Sequence, residues 1–100
     1  MWIRSQNKAF LVDVDNIYIE KSSEAVEGKV TNGYFIRYDS RRYTFLMGIY
    51  STEEKALKVL DMIQRKIIGN EKAKIYNNSE FLTAVYQMPK DYEVKDNESN

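Results

Sequence analysis

The chain has 100 residues, 43% hydrophobic and 13% aromatic, with 15 basic and 15 acidic side chains and a formal net charge of zero. That length suits one domain with a modest core, and charge neutrality speaks against a dedicated duplex binder. Neither Cys nor His occurs, which removes disulfides, thiol catalysis, thiolate metal sites and the commonest general base.

In chain order, Trp2-Ile3-Arg4 predicts a short strand and Ser5-Gln6-Asn7-Lys8 a turn. Phe10, Val12 and Val14 alternate with Leu11 and Asp13, the pattern of a second strand. Asp15-Asn16 is a turn pair, and Ile17-Tyr18-Ile19 fits a third short strand or the second one continued past a bulge. The polar run Lys21 to Gly28 predicts a loop. Tyr34, Ile36 and Tyr38, then Tyr43, Phe45, Met47 and Ile49, predict a hairpin. A two-residue loop at Ser40-Arg41 would set Tyr38 against Tyr43, Ile36 against Phe45 and Tyr34 against Met47, all on one face. Asn32-Gly33 is a candidate second tight turn.

Ser51-Thr52-Glu53-Glu54 spells a capping box with Ser51 as the cap. Ala56, Leu60, Ile63 and Ile67 then recur at helical spacing. Gly69 suits a C-cap, so the helix is predicted from Thr52 to Ile68. Lys72 to Tyr76 fits either strand or helix. Asn77-Asn78-Ser79 predicts a turn, and Phe81 to Met88 a last strand stopped by Pro89. Lys90 to Asn100 holds four acids against two lysines and few apolar residues, the composition of a disordered acidic tail. The expected fold is α+β: an antiparallel sheet of about five strands with one main helix on one face, as a single domain over residues 1–89.

No apolar run approaches the ~18 residues of a membrane span, and Met1 to Phe10 lacks a signal-peptide core. The expected location is the cytoplasm.

Three stretches stand out together: Met1-Trp2-Ile3-Arg4-Ser5-Gln6, Gly48-Ile49-Tyr50-Ser51-Thr52-Glu53-Glu54-Lys55-Ala56-Leu57-Lys58-Val59-Leu60-Asp61, and Val85-Tyr86-Gln87-Met88-Pro89. This arrangement resembles small uncharacterised proteins carried by phages, prophages and mobile elements of low-GC Gram-positive bacteria. The resemblance covers both ends and the helix, and it carries no functional residue. It implies a short accessory protein that binds and inhibits or sequesters a host defence or regulatory factor.

Chemistry is sparsely signalled. Asp13-Val14-Asp15-Asn16 begins like a calcium loop, but Ile17, Tyr18 and Ile19 stand where oxygen ligands are needed. Glu20, Glu24 and Glu27 lie in a polar stretch where nothing suggests burial, so no proton-holding carboxylate is expected. The glycines spell no phosphate loop. No cofactor, no metal and no enzymatic activity are therefore expected.

The richest stretch is Tyr34 to Tyr43. Lys29 to Met47 has four cations against one acid, whereas Phe10 to Glu27 has five acids against one lysine. Arg37, Arg41 and Arg42 offer forked donors, and Tyr38 and Tyr43 offer aromatic faces. These five are the candidate binding residues, for a host protein or an anionic nucleotide or single-stranded nucleic-acid ligand. The same residues also suit a plain structural role, with tyrosines facing the core, arginines solubilising the tip and Asp39 paired to Arg42. Phe35 and Leu46, on the arginine face, are candidates for a homodimer interface. The acidic run Glu20 to Glu27 is the alternative surface.

Overall fold

The structure is a computed structural model that describes residues 1–75 and 85–95. Among the described residues it is an α+β fold of six strands and one main helix, with the strands divided between two small sheets. The strands are β1 (Trp2–Arg4), β2 (Leu11–Asp13), β3 (Tyr18–Val26), β4 (Lys29–Asp39), β5 (Thr44–Tyr50) and β6 (Tyr86–Gln87), with α1 (Glu53–Ile75) between the last two. One sheet has the order β2-β1-β6 and the other β3-β4-β5. The expected single antiparallel sheet is thus two, and β1 runs parallel to β6, with Ile3 paired to Tyr86. Antiparallel β2 can follow β1 after a short loop, whereas parallel β6 pairs with β1 only after β2 to β5 and α1 have intervened.

Gln6 joins the sheets. Its backbone N–H donates to Met47 O at 2.7 Å. Its side chain donates to Ile49 O and accepts from Ile49 N, both at 3.0 Å. One glutamine amide thereby occupies the edge of β5 as a short strand would.

The core lies between the sheets and the helix. Ile3, Ile36, Met47, Tyr50, Ala56, Val59, Ile63 and Met88 are all buried there. The Tyr50 hydroxyl donates to Pro89 O at 2.8 Å, and burial pushes this phenol well above its ordinary range. Burial likewise pushes Tyr86 up to about 12. Both phenols stay neutral near pH 7.

Several expectations need correction. The polar run Lys21 to Gly28 is mostly strand: β3 continues to Val26, and the chain reverses at Glu27-Gly28. Both turn residues have positive φ, 50° and 82°, the geometry that matches strand twist in a two-residue hairpin. Asn32-Gly33 lies inside β4 instead.

The β4–β5 register is also shifted. Tyr38 pairs with Phe45, Ile36 with Gly48 and Tyr34 with Tyr50, around an irregularity between Ile36 and Arg37. Leu46 pairs with Arg37 and Gly48 with Ile36, so Met47 is the extra residue of a bulge. The bulge lets Met47 and Gly48 both turn inward and sends Ile49 to the opposite face. The connection is the four-residue loop Ser40 to Tyr43, closed by the Asp39–Thr44 pair.

Helix α1 starts as predicted but is capped by Thr52, not Ser51. Thr52 Oγ1 accepts from Lys55 N at 3.2 Å, a contact type worth about 1 kcal/mol. Ser51 is held elsewhere, its N–H and hydroxyl both donating to Asp91 Oδ1. Ala56, Val59 and Ile63 are the buried stripe. The helix passes through Gly69 to Ile75, so Lys72 to Ile75 is helical. The buried stripe ends at Ile63, and Ile67, one turn farther on, is exposed. The expected turn at Asn77 to Ser79 and the first part of the last strand, 81–84, lie outside the described residues.

The expected tail is in part a docked segment. Lys90 to Val94 passes through a 3-10 turn at Asp91–Glu93, and Val94 is only 4% exposed in the core. Asp91 also forms an ion pair with Lys55 at 3.5 Å. Residues 96–100 lie outside the described residues. Removing Lys90 to Asn100 is therefore expected to lower the melting temperature, because full burial of a valine is worth about 1.5–3 kcal/mol. An unchanged melt of the truncated chain would contradict the docking.

Candidate functional site

The face of the β3-β4-β5 sheet away from the main core carries Phe35, Arg37, Leu46 and Ile49, with Tyr18, Glu20, Ser22, Glu24 and Val26 from β3. Phe35 is 0% exposed. What covers it is the sheet itself. Arg37 is register partner to Tyr18, yet its Nη2 donates to the carboxylate of Glu24, six residues farther along β3. On a flat strand those positions would lie about 20 Å apart. The β3–β4 hairpin is therefore curled over this face as an arm. Gly33 sits in the curled stretch, where an added Cβ would meet Tyr50 O at 2.8 Å; only a residue without Cβ allows that approach.

Arg37 is the clasp of the arm. Its Nε donates to Glu20 Oε1 at 3.2 Å, and its guanidinium lies 5.0 Å from the Phe35 ring centroid. With 13% side-chain exposure, it is committed to the fold and withdrawn from the candidate binding set. The Ser22 hydroxyl first, and the charge of Arg37 next, hold the Glu24 carboxyl below its ordinary value of 4.5. A depressed carboxyl stabilises the fold above its ordinary pKa, and that contribution fades as pH falls through the lowered value. Phe35 is likewise unavailable to a second subunit, contrary to its expected interface role. Leu46 is half-buried on the same face. The alternative acidic surface is strand β3 and the turn after it, where Glu20 and Glu24 are both bound to Arg37 and Glu27 stands in the turn.

The remaining candidates gather at the tip between β4 and β5. Ser40 shapes the loop: its N–H donates to Tyr43 O at 2.8 Å, and its hydroxyl accepts from Tyr43 N at 3.0 Å. Arg41 and Arg42 are exposed on this loop and form no ion pair among the described residues. The expected Asp39–Arg42 pair is absent there, because Asp39 accepts the hydroxyls of Tyr18 at 3.1 Å and Thr44 at 2.8 Å.

Below the arginines lies an aromatic cluster centred on Phe45. Tyr38 stacks on it at 6.1 Å, and Tyr43 and Phe10 meet it edge-on at 6.3 and 5.5 Å between centroids. Tyr43 is 66% exposed and Phe10 40%. Tyr43 thus belongs to the surface and not to the core face expected of it, while Tyr38 supports the cluster from below. Sequence reasoning missed Phe10 and Phe45 as site residues. Their alternation with polar neighbours marks strand faces, and nothing local in it indicates that two faces from different sheets meet at one edge.

Among the described residues no cluster of acidic side chains could hold a metal ion, and no helix is long and apolar enough to cross a membrane. Comparison with protein-family models, curated proteins and solved structures finds no match to this chain.

Proposed function

We propose that the protein is a non-catalytic binding module that engages an acidic surface on a partner protein through the β4–β5 tip. The observation that carries this reading is the pairing of two exposed arginines, without carboxylate partners among the described residues, with exposed Tyr43 on an aromatic base. Guanidinium groups supply forked donors for carboxylates. Tyr43 and Phe10 supply contact area with few rotatable bonds. The Ser40 hydrogen bonds hold the loop in shape before contact, which lowers the ordering cost of binding.

The role that fits such a module is inhibition or sequestration, in keeping with the phage and mobile-element proteins it resembles. A surface that occupies a host defence or regulatory factor needs affinity and shape, not a reactive group. The chain contains no His and no Cys, and the site proposed here uses no general base.

A second reading is favoured by the same rings: bases of a single strand could stack on Tyr43 and Phe10 while the arginines meet phosphates. The formal net charge of zero weighs against it.

A photo-reactive phenylalanine analogue in place of Tyr43 tests the main reading. In a lysate of a low-GC Gram-positive bacterium it is expected to cross-link one protein. The same analogue at Gln64, on the exposed side of α1, is expected to cross-link none. Equal labelling from both positions would refute the tip as the contact.

A further inference from the structure

The curled arm leaves a groove beside the tip. It has a volume of about 250 Å³, and its apolar walls are Phe10, Val26, Leu46 and Ile49, with Asn7 and Glu27 among the polar residues that line it. Small-molecule sites usually occupy about 300–1,000 Å³, so this space suits a single large side chain better than a metabolite.

Phe10 connects the groove to the tip, since the same ring lines the groove and packs edge-on against Phe45. The charges are graded along this path. Among the described residues Glu27 is the one ionisable side chain in the groove lining, and Arg41 and Arg42 stand at the other end. From Leu46 to Arg42 is four residues along β5 and its loop, at most about 13 Å.

We propose that groove and tip form one continuous surface that binds an extended, acidic peptide segment of the partner protein. One large apolar side chain fills the groove, and an acidic residue about three to five positions away reaches Arg41 and Arg42. The inference rests on the proposed binding role of the tip and adds the groove, the spacing and the anchor. A helical segment would cover the same distance only with about nine residues, so spacing separates the two conformations.

The test is selection of randomised peptides of about twelve residues on the whole protein, followed by titration of the enriched peptides. The expected sequences carry one large apolar residue with an acid three to five positions away. Their affinity is expected to fall at least tenfold for Phe10→Ala and for Leu46→Ala, each first checked for an unchanged fold by circular dichroism. Val26→Ala, on a groove wall outside the aromatic cluster of the tip, is a third groove variant with the same expected loss and keeps the test decisive if Leu46→Ala unfolds. Peptides that lose affinity in Arg41→Ala/Arg42→Ala but not in the groove variants would overturn the groove while leaving the tip reading intact. Peptides indifferent to both sets would overturn both. Displacement of the peptides by oligothymidylate at lower concentration than the peptides themselves require would assign the surface to single strands and overturn the peptide proposal.

Discussion

Phe35→Ala is expected to destabilise the protein by about 3–5 kcal/mol, the range for emptying a fully buried aromatic site. Phe35 is 0% exposed although it lies on the face opposite the main core, because the β3–β4 arm folds back across it. Truncation would remove the apolar floor under the Arg37 guanidinium, which lies 5.0 Å from the ring. The arm would then be held by Arg37, Glu20 and Glu24 alone, and ion pairs with half-exposed carboxylates contribute little. The loss should be seen as a lower melting temperature together with faster amide exchange across Ser22 to Thr31. Phe35→Leu, which keeps most of the volume, is expected to cost less than about 1.5 kcal/mol. If Phe35→Ala melted like the wild type, the arm would not be closed over the ring.

The double variant Arg41→Ala/Arg42→Ala is expected to do the opposite: leave the melt within ~0.5 kcal/mol of wild type and abolish capture of the partner. Neither arginine holds a carboxylate among the described residues, and the loop is shaped by Ser40 and Tyr43. Each lost hydrogen bond to a charged group costs about 1.5–3 kcal/mol on binding. Two together predict a loss of ~100-fold or more. Raised salt should weaken wild-type binding only in part, because Tyr43 and Phe10 contribute apolar contact that ions do not screen. A single-stranded ligand would instead lose affinity steeply and linearly on a log–log salt plot. An unaltered affinity in the double variant would remove the tip from consideration.

Much of the fold is readable from local pattern. Strand β1, the start of α1 and the pairing of β4 with β5 follow from alternation and capping residues. The hairpin register does not, because Tyr43, Phe45, Met47 and Ile49 alternate in sequence while the bulge at Met47 breaks their common face. The Glu27-Gly28 turn is weakly signalled: glycine is present, but glutamate stands where asparagine or aspartate usually marks such turns. Arg37 illustrates the harder limit. Its partners lie 13 and 17 residues away and meet it only because the strands curl, which no short window encodes. The tail misled for a related reason. Val94 is one apolar residue among charges, and its burial depends on Asp91 tying the segment to Ser51 and Lys55. At the site, the sequence sets Arg41, Arg42 and Tyr43 side by side in one loop, whereas the sorting of Arg37 into the fold and of Phe10 into the surface needs the tertiary arrangement.

Amide hydrogen exchange with and without the captured partner tests the central claim most directly, since it needs no substitution in the site. Binding at the tip predicts slowed exchange in Ser40 to Thr44 and around Lys8 to Leu11, with α1 unchanged. Protection confined to α1, or to the outer face of β1 and β2 around Trp2, would contradict the assignment and place the contact elsewhere on the molecule.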